Sequence, residues 1–244
     1  MIGAVRRFSW GAREFLWPKR CAGCGLRDTW LCEECAVNPA AWEPEWCDRC
    51  GVPHALSGCS CDSLPAVIDA ARSVGWHQGW LRSAVRLLKY SDERARAVPL
   101  GRLMAEKLSD LDRHDLVIPV PLSRQREQER GFNQALELAR AVSYEIGVPV
   151  NTACMKRSRE TPPQVGLDRS LRQQNVRGAF SLVNASAVDG ASILLVDDVF
   201  TTGATLTELA GVLKTGGAMR ITVATVTRAP YHAFQGAEIV GIDA

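Results

Sequence analysis

The run Ile193-Leu194-Leu195-Val196-Asp197-Asp198-Val199-Phe200-Thr201-Thr202-Gly203-Ala204-Thr205 constrains the fold more than any other part of this 244-residue chain. Four consecutive apolar residues fit a strand buried on both faces, as strands of parallel sheets are. Two carboxylates stand at its C-terminal end, and a turn of small and hydroxyl-bearing residues leads into a helix. In open α/β sheets, ligands collect beyond the carboxyl ends of the strands. A helix N-terminus there offers free N–H groups and a positive dipole end to a phosphate. Asp197 and Asp198 then lie where they could hold a sugar's hydroxyls or a hydrated Mg2+. Thr201, Thr202, Gly203, Ala204 and Thr205 suit a phosphate turn because no bulky side chain keeps the backbone from the ligand. The competing reading is an ordinary strand–turn–helix whose carboxylates solvate the turn.

The surrounding pattern alternates between strand and helix. Val67 to Trp76 reads as extended, and Leu81, Ala84, Val85 and Leu88 form a helical stripe. Leu100, Leu103, Met104 and Leu108 mark a second amphipathic helix, and Leu116 to Val120 a short strand. The next helix carries Phe132, Ala135, Leu136, Ala139 and Val142. Ala179 to Val183 is extended, Leu206, Leu209, Ala210 and Leu213 stripe another helix, and Arg220 to Thr227 is a last strand. Such alternation predicts an α/β fold with a parallel sheet flanked by helices.

Length fits one such domain plus a small appendage. The expected division is 1–64 for an N-terminal helix and a cysteine-rich module, and 65–244 for the sheet domain. In the N-terminal helix, Val5, Phe8, Ala12, Phe15 and Leu16 follow helical spacing, which suits packing on the protein body or lying on a membrane surface. No uninterrupted apolar stretch approaches the roughly 18 to 20 residues that span a bilayer. Arg6, Arg7 and Arg13 break up the N-terminal apolar residues, so no secretory leader is expected and the chain is expected to be cytoplasmic.

In a reducing compartment, nine cysteines point to metal rather than disulfides. Eight form the series Cys21-x-x-Cys24, Cys32-x-x-Cys35, Cys47-x-x-Cys50 and Cys59-x-Cys61, with Gly25 and Gly51 following two of the pairs as turn residues. Two such pairs complete a tetrahedral Zn2+ site. Pairing consecutive knuckles closes the shortest loops and gives one site of Cys21, Cys24, Cys32 and Cys35 and another of Cys47, Cys50, Cys59 and Cys61; an interleaved pairing remains open. Both are read as closed structural zinc sites that supply the folding energy of a segment with few core residues. Cys154 stands apart and fits a buried small apolar position.

Net charge is only +2, so a globally basic nucleic-acid binder is not indicated. Local charge is uneven: from Lys156 to Arg177 six basic residues face two acidic ones. The strand end Ile118-Pro119-Val120-Pro121 continues into Leu122, Ser123 and Arg124, where a second anionic group could bind. Beyond it lies Arg130-Gly131-Phe132-Asn133-Gln134, in which Arg130 can clamp phosphate oxygens and Asn133 can cap a helix or orient a ligand. Lys89-Tyr90 either reaches this region or answers a helix dipole.

The Ile193–Thr205 segment closely resembles the phosphoribosyl pyrophosphate (PRPP) motif of type I phosphoribosyltransferases. Arg130-Gly131-Phe132-Asn133-Gln134, the R-x-T-x-x-Q of Arg159, Thr161 and Gln164, and the R-x-x-N-x-x-G-A-F run from Arg172 through Asn175 to Phe180 are similar to motifs of the ComF family of competence-associated proteins. The resemblance implies a type I phosphoribosyltransferase-like sheet preceded by a zinc-ribbon module, binding PRPP with Mg2+. It implies that Asp197 and Asp198 act with Arg130 in catalysis, and that Thr201 to Thr205 cradle the 5'-phosphate. Leu122, Ser123 and Arg124 correspond to the pyrophosphate loop, and Arg159, Thr161, Gln164, Arg172 and Asn175 to a flexible loop that closes over the ligand. Some purine transferases carry an Asp at the position of Thr201, so no base toward an acceptor carries over. The implied activity is phosphoribosyl transfer to an unidentified acceptor with pyrophosphate release, in the setting of DNA uptake. The alternative is a non-catalytic factor that handles single-stranded DNA and uses the PRPP pocket for regulation. The implied partners are PRPP, single-stranded DNA and a DNA-uptake translocase ATPase.

Overall fold

The computed structural model describes residues 19–36, 46–53, 61, 64–90, 93–160 and 169–229. The expected N-terminal helix with Val5, Phe8, Ala12, Phe15 and Leu16, and the candidate site residues Cys59, Thr161 and Gln164, lie outside the described residues. In chain order the elements are α1 (Glu33–Ala36), β1 (Ala70–Trp76), α2 (Gly79–Tyr90), α3 (Ala97–Glu106), β2 (Leu116–Pro119), α4 (Arg124–Arg130), α5 (Gln134–Ile146), β3 (Met155–Arg157), α6 (Arg169–Val176), β4 (Phe180–Leu182), β5 (Ser192–Phe200), α7 (Ala204–Thr215) and β6 (Arg220–Arg228).

Four strands form a parallel sheet in the order β1-β6-β5-β2, and β3 and β4 pair antiparallel as a separate ribbon. Successive side chains of a strand point to opposite faces, so a central strand covered on both sides must be apolar throughout. Ile193 and Leu195 of β5 join a core with Leu206, Leu209, Ala210 and Leu213 of α7. Leu194 and Val196 face the other way, among Leu81, Ala84, Val85 and Leu88 of α2, Leu100 and Met104 of α3, and Leu138, Ala139 and Val142 of α5. The apolar run of β5 is the seam between two cores.

After β2 one helix was expected and two are present, and Phe132, expected on the apolar stripe, lies between them. The chain after β2 forms the polar α4, which buries none of its residues, and then the apolar-striped α5. Gly131 separates them in the left-handed region at φ 73°, and the Asn133 side chain caps α5 by accepting hydrogen bonds from the N–H groups of Ala135 and Leu136. On α5, Leu138 takes the inward position and Leu136 is half-buried.

The cysteine knuckles pack on the sheet domain. In the Cys47–Cys50 knuckle, three consecutive carbonyls accept from sheet donors: Asp48 from Arg72 Nη1 at 2.8 Å, Arg49 from the Ala71 N–H at 2.8 Å, and Cys50 from Arg228 Nη1 at 2.6 Å. Gly51 lies so close to the Ala71 carbonyl that a Cβ there would collide with it. The first knuckle is held by Arg96, whose Nη2 donates to the Arg20 carbonyl at 3.0 Å and whose guanidinium lies 4.7 Å from the centre of the Trp30 ring. Arg72, Arg96 and Arg228 are all buried; Asp110 pairs with Arg72 and Glu93 with Arg96, and the carbonyl contacts add to what offsets the burial.

Candidate functional site

The carboxyl ends of β2 and β5, the end of α2, and the starts of α5 and α7 enclose a cavity of about 710 Å3. Asp197 and Asp198 both line it. The Asp198 N–H donates to Asp197 Oδ1 at 2.8 Å, and Lys89 Nζ lies 2.9 Å from Asp198 Oδ1. Burial, then the neighbouring charge of Asp198, push the Asp197 carboxyl up to about 7, against the pull of Lys89 and Arg130. The site therefore pairs an ion-paired carboxylate with one that takes a proton far more readily than an exposed aspartate.

The turn after β5 supplies the next wall. Gly203 caps α7 in the left-handed region at φ 76°, and a Cβ there would meet the Phe200 ring at 3.0 Å, so both conformation and space require glycine. Thr201, Gly203, Ala204 and Thr205 line the cavity at the N-terminus of a twelve-residue helix. Thr202 is used locally: its hydroxyl accepts from the Ala204 N–H at 3.4 Å. The positive end of the helix dipole makes this wall suited to a phosphate.

Opposite stand cations. Arg130 lines the cavity, donates to Gln134 Oε1 at 3.0 Å and lies 5.3 Å from the centre of the Tyr90 ring. Lys89 also lines it, one of the two alternatives read for Lys89-Tyr90, as do Arg126 and Arg157, which were not among the site residues predicted from sequence. The available signals were the i, i+4 spacing of Arg126 and Arg130 on one helix face and the Lys89-Tyr90 pair at the end of α2. Burial, reinforced by the charge of Arg126, pushes the Arg157 pKa down.

The remaining predicted residues divide. Of the Leu122, Ser123 and Arg124 group, Leu122 lines the cavity. The buried Ser123 caps α4 by accepting from the Arg126 N–H, and the Arg124 N–H donates to Glu160. Arg159 is directed to the end of α6, donating to the carbonyls of Asn175 and Arg177 at 2.9 and 2.8 Å. Neither Arg159 nor Asn175 lines the cavity, and Arg172 is described only as part of α6.

Two cysteine clusters lie apart from this cavity. The sulfurs of Cys21, Cys24, Cys32 and Cys35 all fall within 4.8 Å of one another, as do those of Cys47, Cys50 and Cys61. Four sulfurs about 2.3 Å from a tetrahedral ion stand about 3.8 Å apart. The observed Cys21–Cys32 and Cys24–Cys32 separations are 3.7 and 3.6 Å. Each cluster could hold a metal ion, and the grouping follows consecutive rather than interleaved knuckles. In the Cys21–Cys24 and Cys47–Cys50 knuckles a glycine at positive φ, Gly25 or Gly51, donates back to the carbonyl of the first cysteine at 2.9 Å.

A family model described as the phosphoribosyl transferase domain matches residues 132–234. Together with the parallel sheet and the acidic pair above a helix N-terminus, it defines a protein with a phosphoribosyltransferase-type domain. The DNA utilization protein YhgH of Salmonella typhimurium is 31% identical over 202 residues, covering 79% of this chain and 88% of that protein. Competence protein F of Haemophilus influenzae is 30% identical over 210 residues, 86% of this chain and 84% of that one. A solved purine phosphoribosyltransferase from Pyrococcus horikoshii is 20% identical, covering 53% of this chain and 70% of its own, with a TM-score of 0.35. The chain belongs to the ComF family of competence-associated proteins. Among the described residues no helix is long and apolar enough to cross a membrane.

Proposed function

We propose that the protein binds PRPP in the 710 Å3 cavity and transfers its phosphoribosyl group to an acceptor, releasing pyrophosphate, in the context of DNA uptake. The observation that carries this reading is the meeting, in one cavity, of the Asp197–Asp198 pair, the glycine-capped start of α7 and the cations Lys89, Arg126, Arg130 and Arg157. The N–H groups around Thr201 to Thr205 receive the 5'-phosphate, and Asp197 and Asp198 take the ribose hydroxyls. Leu122 and the cations opposite border the pyrophosphate, whose departure they favour by neutralising its growing charge. Mg2+, when bound, shares that neutralisation. Closure of the segment between Arg159 and Asn175 excludes water. Zn2+ fills the two cysteine clusters as a structural ion.

Pyrophosphate release from PRPP, measured against a panel of bases and nucleic acids, tests the transfer. Release that needs an added acceptor and disappears in Asp198→Asn supports it; PRPP binding without release under every condition contradicts it.

One observation favours a second reading, in which single-stranded DNA is handled and the PRPP pocket is regulatory. Tyr90 is 70% exposed at the cavity wall with Arg130 against its ring, an arrangement on which unpaired bases stack. Fluorescence anisotropy with single-stranded DNA across a salt series decides it: affinity that falls with salt and drops in Tyr90→Ala supports it, and no binding removes it.

A further inference from the structure

The second cysteine cluster and the phosphate turn are joined by a short series of contacts. Cys50, one of the clustered sulfurs, gives its carbonyl to Arg228 Nη1 at 2.6 Å. The Arg228 guanidinium lies 4.5 Å from the centre of the Phe200 ring. That ring lies beneath Gly203, where the position of a Cβ would fall 3.0 Å from its Cζ. Gly203 in turn sets the left-handed cap from which α7 begins.

Nothing along this series is loose. Arg228 and Phe200 are 3% and 2% exposed and are register partners across β5 and β6. The backbone ties them further: the Ala229 N–H donates to the Phe200 carbonyl and the His77 N–H to the Arg228 carbonyl, both at 2.8 Å. The knuckle end is equally fixed, because the carbonyls of Asp48, Arg49 and Cys50 all accept from the sheet. The Cys47–Cys50 turn is thus bonded to a buried guanidinium that is packed on the ring lying against Gly203, and close packing of this kind transmits displacement.

We propose that metal held by the Cys47, Cys50 and Cys61 cluster is coupled to ligand binding at the phosphate turn through Arg228 and Phe200, which act as positioning residues for Gly203. This rests on the PRPP reading given above. Filling the cluster fixes the turn that presents Cys50, and the fixed turn holds Arg228 on Phe200. Coupling of this kind is reciprocal, so bound PRPP raises the affinity of that cluster for its metal by the factor by which the metal raises PRPP affinity.

The test uses the full chain with its zinc content measured. Zinc is titrated against a competing chelating dye, with and without saturating PRPP and Mg2+, and PRPP affinity is measured separately by calorimetry. The expected result is that PRPP tightens one of two bound zinc ions by about 5-fold or more, within the usual span of coupling between sites. Arg228→Lys and Phe200→Leu keep both zinc ions, bind PRPP about 5-fold or more weakly, and lose the PRPP-dependent shift; the second variant leaves the Arg228–Cys50 bond in place. A zinc titration unchanged by bound PRPP overturns the coupling, and this wild-type measurement decides the matter even if neither variant folds. Failure of the zinc-loaded wild-type chain to bind PRPP overturns the PRPP reading together with the coupling.

Discussion

Asp197 and Asp198 are adjacent in sequence and unlike in environment. Asp198 is paired with Lys89, whereas Asp197 is pushed up to about 7 by burial and by the charge of Asp198. An aspartate held near 7 when folded and near 3.8 when unfolded binds its proton more tightly in the folded chain. The linked stability is highest at low pH and is lost as pH rises from about 4 through about 7. Asp197→Asn removes that slope. The ligand-free variant should melt higher than wild type near pH 8, and the difference should shrink steadily toward pH 4. A melting difference independent of pH would show that the carboxyl is not held near 7. The acidic pair was legible from its place after four apolar residues. Its asymmetry was not, because Lys89 reaches Asp198 from a helix more than a hundred residues earlier.

At the scale of the element, periodicity carried most of the reading. The stripes of α2 and α7 are buried as their spacing predicts, since Leu81, Ala84, Val85 and Leu88, like Leu206, Leu209, Ala210 and Leu213, recur at helical intervals facing one core each. The break between α4 and α5 escaped it because α4 has no apolar stripe to show a period. Asn133 sits at that break, capping α5 and donating from Nδ2 to the Val120 carbonyl at 3.0 Å, so it ties the helix start to the end of β2. Asn133→Ala should cost about 1–2 kcal/mol in urea denaturation, a cap plus a neutral hydrogen bond. Asn133→Ser should recover the capping share, and an unchanged midpoint in both variants would contradict the role.

At the scale of the molecule, the cysteine knuckles are hydrogen-bonded to the sheet domain. What joins them is arginine. Arg72, Arg96 and Arg228 are buried donors to knuckle carbonyls, and their sequence neighbours give no sign of it because the partners lie far away along the chain. The sheet order places β1 beside β6 and β5 beside β2, bringing the acidic pair, the turn that starts α7 and the arginines of α4 to one end. That convergence is the physical basis of the phosphosugar reading. The most direct measurement of it is calorimetric titration of the zinc-loaded chain with PRPP in the presence of Mg2+, repeated on Asp197→Asn/Asp198→Asn. Saturable binding by the wild type, abolished in the double variant while its fold and zinc content are kept, is the predicted result. No binding by the wild type, or equal binding by the double variant, would contradict it.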